Sequence, residues 1–198
     1  MTLRTDVSVL YVDPRGPYPK LVADWWDEKR DARLYAGPNP VVAHPPCGPW
    51  GKQRHNYRGS EHECAARALA QVHEFGGVLE HPAESKFWDA AGLPKPKELW
   101  NSYDGFTVEV EQVAWGHVAR KRTWLYCYRV DRALVAATMR TGGEPTHWCS
   151  GNRNNKRGGS VPPGIKVCSA QQRRRTPVAF AEWLIELASQ ARSVARSA

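Results

Sequence analysis

Three short stretches of the chain carry side chains suited to joint chemistry, and the first is built around Cys47. His44-Pro45-Pro46-Cys47 follows the apolar residues 41–43, so a thiol stands in a proline-stiffened loop where a buried strand ends. A thiol attacks only as the thiolate, and neighbouring cations such as His44, Lys52 and Arg54 favour that form. The stretch therefore indicates a cysteine nucleophile. The alternative is a buried structural cysteine in a proline-rich turn.

The second stretch, Leu79-Glu80-His81-Pro82, places a carboxylate at the end of another apolar run. Removing a carboxylate from water is costly, so Glu80 needs either a partner or a chemical task. Beside the nucleophile, a protonated Glu80 could donate a hydrogen bond to a ring nitrogen of a substrate. The alternative is a salt-bridged glutamate that holds the following loop.

The third stretch is Arg120-Lys121-Arg122. Alternate side chains of a strand share a face, so Arg120 and Arg122 are predicted to point the same way. Two guanidinium groups on one face suit a planar base and its phosphate. The alternative is an exposed basic edge of a sheet.

The elements that must position these residues alternate between strands and helices at first. The second predicted helix has Ser60 and Glu63 at the spacing of a capping box. In chain order we predict strand 7–13, helix 21–35, strand 41–44, helix 59–77, strand 77–81, strands 106–115 and 123–130, and a closing helix over 177–192.

This order predicts one α/β domain over residues 1–198, with a Rossmann-like, mostly parallel sheet and antiparallel edge strands. In such sheets the reactive groups lie in loops at the carboxyl ends of the strands. Asp13, Cys47 and Glu80 all fall at such ends, so we expect them on one rim. Residues 140–176, rich in Gly, Asn, Arg and Pro, are predicted to form long basic loops before the closing helix.

Taken in order, Pro45-Pro46-Cys47, Glu80-His81-Pro82 and Arg120-Lys121-Arg122 resemble signature elements of the cytosine-5 DNA methyltransferases. That family carries a Pro-Pro-Cys nucleophile loop, a Glu-Asn-Val/Pro strand end and an Arg-x-Arg strand. The resemblance spans roughly residues 40–126, with His81 in place of the family's asparagine.

The resemblance implies a reduced, single methyltransferase-type domain, of a size that a phage could encode, acting on a pyrimidine base in DNA. Cys47 would attack ring carbon 6 of a cytosine that has left the base stack. Glu80 would protonate ring nitrogen 3, and Arg120 or Arg122 would hold the exocyclic oxygen. Carbon 5 would then accept a methyl group.

The same resemblance implies S-adenosylmethionine as the methyl donor, bound at Asp13, Gly16 and Pro46. The family has a Phe/Leu-x-Gly-x-Gly loop after its first strand, whereas this chain has the single Gly16 there. Two alternatives therefore stay open. Cys47 could serve an enzyme that modifies pyrimidines without this cofactor, or the chain could be a non-catalytic nucleic-acid-binding protein on a decayed methyltransferase scaffold.

The charge of the chain favours a polyanionic partner. Its 28 Lys and Arg exceed its 20 Asp and Glu, the net charge is +8, and nine tryptophans offer stacking surfaces. We expect DNA, single-stranded or with a flipped base, and place much of the contact in residues 140–176, where a solvated basic loop is the alternative. The predicted contacts are Lys52, Arg54, Arg153, Lys156, Arg157 and Arg173.

The five cysteines have irregular spacings, which favours reduced thiols over a disulfide framework. A zinc site from His147, Cys149 and Cys168, with Cys127, is the alternative, and we predict no metal. No apolar run approaches the roughly 18 residues of a membrane helix, and the N-terminus lacks the pattern of a secretion signal. We therefore expect a cytoplasmic protein with no membrane partner.

Overall fold

The computed structural model of the protein describes residues 2–52, 54–98, 105–149, 161 and 164–191. The strands are β1 (Arg4–Leu10), β2 (Val22–Trp26), β3 (Val41–Ala43), β4 (Gly77–Pro82), β5 (Gly105–Glu111), β6 (Arg122–Tyr128), β7 (His147–Trp148) and β8 (Lys166–Val167). The helices are α1 (His62–Phe75), α2 (Lys86–Ala91), α3 (Arg132–Thr138), α4 (Ala170–Arg174) and α5 (Val178–Ser189), with short 3-10 turns at Tyr18–Lys20, Ala32–Leu34, Arg54–Asn56 and Gln112–Trp115.

A six-stranded sheet in the order β2-β1-β3-β4-β6-β5 organises the molecule. The first four strands of this order are parallel, and β6 runs antiparallel to both of its neighbours, β4 and β5. The predicted α/β class and the Rossmann-like, mostly parallel sheet are therefore confirmed. The reversed strand lies one position in from the edge, and β7 and β8 form a separate parallel pair.

Helices cover both faces of the sheet. Successive residues of a strand point to opposite faces, so the short apolar runs of β1, β3 and β4 supply both layers at once. On one face α5 buries Phe180 and Leu184 against a layer that includes Val9, Val42 and Val78. On the other face α1 and α2 bury side chains such as Val72 and Trp88 against Leu10, Ala43, Leu79 and Trp124.

The predicted helix over 21–35 is wrong, because residues 22–26 form β2. Its apolar residues fit a helical spacing, but the valine and tryptophans also favour a strand, and pairing with the free edge of β1 decides the outcome. A hydrogen bond of 2.6 Å from Ser8 Oγ to Asp24 Oδ2 joins the two strands. The following residues turn through Asp31, whose side chain caps the 3-10 turn at Ala32–Leu34.

Other segments also differ from the predictions. Helix α1 starts at His62 with Glu61 before it and no side-chain cap, so the predicted capping box of Ser60 and Glu63 does not form. Helix α5 ends at Ser189, and residues 192–198 lie outside the described residues. The expected long loops over 140–176 contain β7, β8 and α4, while residues 150–160, 162 and 163 are also outside the description.

Among the helices that the structure describes, none is both long and apolar enough to cross a membrane.

The hydrogen bonds of the buried Gln71 side chain contribute to the stability of this fold. Its side chain is fully buried on α1, and Nε2 donates to the carbonyls of Ala32 at 2.8 Å and Tyr35 at 3.2 Å. Replacing Gln71 by Leu removes the side-chain donor from the Tyr35 carbonyl and leaves the Ala32 carbonyl with the Tyr35 amide alone, so we expect the free energy of unfolding to fall by about 1–3 kcal/mol. Urea denaturation followed by circular dichroism measures the change. The exposed Gln190→Leu is the control and should change stability by less than about 0.5 kcal/mol; equal effects at both positions would contradict the assignment.

Candidate active site

The carboxyl ends of β3 and β4 lie side by side and bring the first two predicted stretches together. Val42 pairs with Val78 and Ala43 with Leu79, so the next residues, His44 and Glu80, are neighbours across the sheet. His44 Nδ1 lies 3.1 Å from Glu80 Oε2, and both side chains are largely buried, with 13% and 14% of their surface exposed. The rim predicted from the order of strands is therefore present.

Cys47 lies in a loop held by several contacts. Its carbonyl accepts hydrogen bonds from the amides of Trp50 and Gly51, at 3.1 and 2.8 Å, which closes a turn after the two prolines. The ring of Tyr57 covers Gly48 so closely that a side chain there would collide with it. Cys47 itself is exposed. The expectation of a presented cysteine fits the structure, and the alternative of a buried structural cysteine does not.

Glu80 is an anion held by donors on both carboxylate oxygens. Gln112 Nε2 donates to Oε1 at 3.3 Å, while His44 contacts Oε2. Burial raises the pKa of Glu80, but the His44 hydrogen bond and the charge of Lys121 act against burial, and the pKa lies below its ordinary value. The expectation that Glu80 stays protonated is therefore wrong for the resting protein.

The thiol of Cys47 is not activated by cations in the way expected from the sequence. Although the residue reaches the surface, protein atoms around its thiol desolvate it, and with the charge of Glu80 they raise the pKa of Cys47 above its ordinary value. Lys121 and Arg174 act in the opposite direction without offsetting this. Lys52 pairs with Glu84 at 3.0 Å instead of serving the thiol. The resting site therefore holds a protonated thiol, and the nearby ionised Glu80 contributes to keeping it protonated.

Lys121 is the site residue that the sequence interpretation missed. It lies in the connection before β6 with a backbone φ of 44°, a left-handed conformation that is uncommon for residues other than glycine. Its ammonium donates to the carbonyl of Arg175 at 2.8 Å. Burial lowers the pKa of Lys121, and the nearby Glu80, Cys149, Cys47 and Cys168 act to raise it. The residue between the two arginines therefore supplies the positive charge beside Cys47 and Glu80.

The predicted pair of arginines on one strand face is wrong. Strand β6 begins at Arg122, so Arg120 lies outside it and the positive φ of Lys121 interrupts the alternation of side chains. The Arg122 guanidinium pairs with Glu109 and Glu84, both at 2.8 Å. Arg120 lies 3.6 Å from the carboxylate of Glu111. Both arginines are exposed and paired with acids, so neither is placed to clamp a base at Glu80.

Helix α4 lies close to the rim and brings exposed arginines to it. The carbonyl of Gln172 lies 2.9 Å from His117 Nε2, and Lys121 binds the carbonyl of Arg175. The charge of Arg174 acts on both Cys47 and Asp13, which follow the ends of β3 and β1. Of the six predicted nucleic-acid contacts, Arg173 and Arg54 are exposed, Lys52 is exposed and paired with Glu84, and Arg153, Lys156 and Arg157 lie outside the described residues.

The loop after β1, predicted to bind the cofactor, is committed to contacts within the protein. The Asp13 carboxylate accepts two hydrogen bonds from the Arg15 guanidinium at 2.9 Å. The Gly16 amide donates to the Asp13 carbonyl at 2.8 Å, and Tyr18 turns inward to His44. An exposed ion pair is weak and can exchange, but the Gly16 amide and the Tyr18 hydroxyl are already used inside the fold.

The other groups available for S-adenosylmethionine are also occupied. A ribose needs an acid near the end of the second strand, but Asp24 already accepts hydrogen bonds from Ser8, Trp26 and Arg30 at 2.6, 3.0 and 2.7 Å. Pro46 has no amide hydrogen, and its carbonyl acts on His81. The residues that the resemblance assigns to S-adenosylmethionine therefore do not fit that cofactor.

The cysteines near the C-terminal half do not assemble a metal site in the part of the chain that the structure describes. Cys149 and Cys168 have their sulfur atoms 3.1 Å apart, while Cys127 is buried in the sheet. Within the described residues, no three His, Cys, Asp or Glu side chains converge as metal ligands.

A cavity of about 590 Å³ lies against β5, lined by residues that include Lys95, Glu109 and Met139. It includes neither Cys47 nor Glu80. The candidate site is therefore marked by its reactive groups, while none of the residues that line this cavity is a cysteine.

Comparison of the chain with protein-family models, with curated proteins and with solved structures finds no match.

The electrostatics of the site predict how Cys47 reacts with a small neutral alkylating agent. Because its pKa is raised by desolvation and by Glu80, alkylation by iodoacetamide should be slow near neutral pH and should accelerate only at a pH above the range in which an ordinary cysteine reacts. Glu80→Gln removes the negative charge, so the thiol pKa falls and the rate at about pH 8 rises, up to roughly tenfold for a shift of one unit.

Quantifying each cysteine peptide by mass spectrometry measures these rates. Glu84→Gln is the matched control, since this exposed carboxylate does not act on Cys47, and it should leave the rate unchanged. An unchanged or slower rate in Glu80→Gln would show that the carboxylate does not control the thiol.

Proposed function

We propose that the protein modifies a pyrimidine base, cytosine, in DNA through covalent attack of Cys47 on ring carbon 6. One observation carries the proposal: the loop that presents Cys47 begins at His44, which contacts Glu80 across the sheet at 3.1 Å, and the charge of Lys121 acts on both Cys47 and Glu80. The charges of Glu80 and Lys121 both act on Cys47. The spacing that resembles the cytosine-5 DNA methyltransferases supports the assignment of the substrate class.

In the first chemical step, the thiol, Glu80 and the base account for every proton and electron pair. The Cys47 thiol transfers its proton to the Glu80 carboxylate, and its sulfur forms a bond to carbon 6. The electron pair of the 5,6 double bond moves into the bond between carbons 4 and 5, and the pair of the 3,4 double bond moves onto nitrogen 3. Nitrogen 3 then takes the proton from Glu80, which regenerates the carboxylate. The product is a covalent adduct whose carbon 5 is nucleophilic.

Lys121 takes the part that the resemblance gives to an arginine. Its ammonium uses one of its three donors on the Arg175 carbonyl, which leaves donors for the exocyclic oxygen of the base. A cation at that oxygen stabilises the charge that the ring gains during attack. Because a single ammonium replaces a bidentate guanidinium, the contact is a point charge and not a planar fork.

Polynucleotide is the favoured form of the substrate because of the cations that surround the site. Arg173, Arg174 and Arg175 are exposed, and none pairs with an acid in the part of the chain that the structure describes. A base brought to Cys47 would place its flanking phosphates near these groups, which suits their charge. The proposal ends at the adduct, because the residues do not fit S-adenosylmethionine and no methyl-transfer step is derived.

A non-catalytic nucleic-acid-binding protein is the second candidate, favoured by the raised pKa of Cys47 and the occupied loop after β1. This second candidate predicts that DNA binding depends on the α4 arginines and does not change when Cys47 is replaced. The two candidates therefore differ in whether the base itself reacts.

Exchange of the hydrogen on carbon 5 tests the proposed reaction without any cofactor. In deuterated water, each reversible attack lets carbon 5 gain deuterium and lose hydrogen, so deoxycytidine from treated DNA should gain one mass unit. We expect Cys47→Ala to abolish this exchange, and Cys64→Ala, the same change at a buried cysteine on α1, to retain it. Nucleoside mass spectrometry after nuclease digestion measures the label in single-stranded and duplex pools.

Two further variants, one of a lysine and one of an arginine, complete the experiment. Lys121→Met should slow exchange at least about tenfold, equivalent to 1.4 kcal/mol of transition-state stabilisation, while Arg120→Met should change it little. Exchange that survives in Cys47→Ala would exclude this nucleophile. Binding of the DNA pools without any exchange in the parent protein would support the second candidate.

A further inference from the structure

The Glu80 carboxylate ends a chain of hydrogen bonds that the proposed reaction does not itself require. Tyr18, in the 3-10 turn after β1, has its hydroxyl 2.6 Å from His44 Nε2. His44 Nδ1 in turn lies 3.1 Å from Glu80 Oε2. The connections after β1 and β3 thus contribute Tyr18 and His44, strand β4 itself contributes Glu80, and the chain runs inward from the place where the resemblance predicted a cofactor.

The direction of these hydrogen bonds follows from the chemistry of Tyr18. Its side chain is 3% exposed, and burial together with the charge of Glu80 raises its pKa well above the ordinary value. The phenol therefore keeps its proton and is able to donate. Because the ionised Glu80 carboxylate can only accept, His44 carries its proton on Nδ1 and donates to Glu80, and the neutral ring then accepts from Tyr18 at Nε2. The Tyr18 hydrogen bond favours this tautomer of His44, and His44 holds the carboxylate.

We propose that Tyr18 and His44 are positioning residues that hold Glu80 as an oriented carboxylate anion toward Cys47 and the base. The inference rests on the proposed function, in which Glu80 carries the proton from the thiol to nitrogen 3. It adds that the loop after β1 serves this site by supplying Tyr18. Neither residue touches the substrate, and Tyr18 acts only through His44.

The groups around Glu80 explain why loss of the His44 hydrogen bond is expected to raise the pKa of this carboxyl. The ionisable groups that act on this carboxylate are His44 from the end of β3, Lys121 from the connection before β6 and His81 from β4 itself. Its charge acts in turn on Tyr18 and Cys47. Gln112 supplies the remaining hydrogen bond, to Oε1. Of the contacts that favour the anion, the His44 hydrogen bond is the largest, so its loss leaves burial to protonate the carboxyl.

The test follows the protonation of Glu80 directly, by carbon-13 NMR of its carboxyl group in the full-length protein, assigned through Glu80→Gln. His44→Phe keeps a planar ring but removes the donor, and we expect the titration midpoint of Glu80 to rise by about one pH unit or more. His44→Asn places an amide donor near the position of Nδ1 and should keep the midpoint close to that of the parent. Tyr18→Phe deletes one oxygen and should give a smaller rise.

The C5 hydrogen exchange of the same variants adds a readout that a merely structural role would not move. His44→Phe should lower kcat roughly 10- to 100-fold with little change in KM, and should shift the acidic limb of the pH profile upward, while His44→Asn restores both. If His44→Phe does not fold, Tyr18→Phe and His44→Asn decide the question by the same comparison.

The outcomes separate this inference from the proposed function. An unshifted Glu80 midpoint in His44→Phe, or in Tyr18→Phe if only that variant folds, would overturn the positioning role even if the parent catalyses exchange. No exchange in the parent would instead overturn the proposed reaction, while the titration would still show whether Tyr18 and His44 hold the anion. A shifted midpoint with rescue by His44→Asn supports the inference.

Discussion

A carboxylate at the end of a buried strand cannot keep its charge unless donors or cations replace the water that it has lost. Glu80 meets this condition through His44 on one oxygen and Gln112 on the other, with Lys121 as the nearby cation. Much of the site follows from that requirement. Tyr18 orients His44, and the ionised carboxylate keeps the Cys47 thiol protonated until a substrate can take up the proton.

The sheet is what makes this arrangement possible with so short a chain. Because β1, β3 and β4 are parallel neighbours, their carboxyl ends place Tyr18, His44 and Glu80 on one rim. The reversed strand β6 then enters from that same rim, so the residue before it, Lys121, arrives beside them. A sheet in which β6 ran parallel would put the start of that strand at the opposite edge and leave the carboxylate without its cation.

The sequence was sufficient to predict the parts of this site that depend on local pattern. Short apolar runs ending in reactive residues located Cys47 and Glu80 at strand ends, because burial on both faces of a parallel sheet leaves that signature. Three features depend on contacts distant in sequence and could not be predicted. Residues 22–26 became β2 through pairing with β1, and Lys121 adopted a positive φ before β6. The raised pKa of Cys47 reflects burial of its thiol by the folded chain and, after that, a carboxylate 33 positions away.

The central claim, that Cys47 bonds to carbon 6 of a pyrimidine in DNA, is tested most directly by trapping the adduct. Single-stranded oligonucleotides with randomised flanks would carry one pyrimidin-2-one, which lacks the 4-amino group and is more electrophilic at carbon 6. After denaturation and proteolysis, mass spectrometry would locate any attached nucleotide. The account predicts attachment at Cys47 in the parent protein and none in Cys47→Ala. Attachment at another residue, or an adduct that persists in Cys47→Ala, would contradict it.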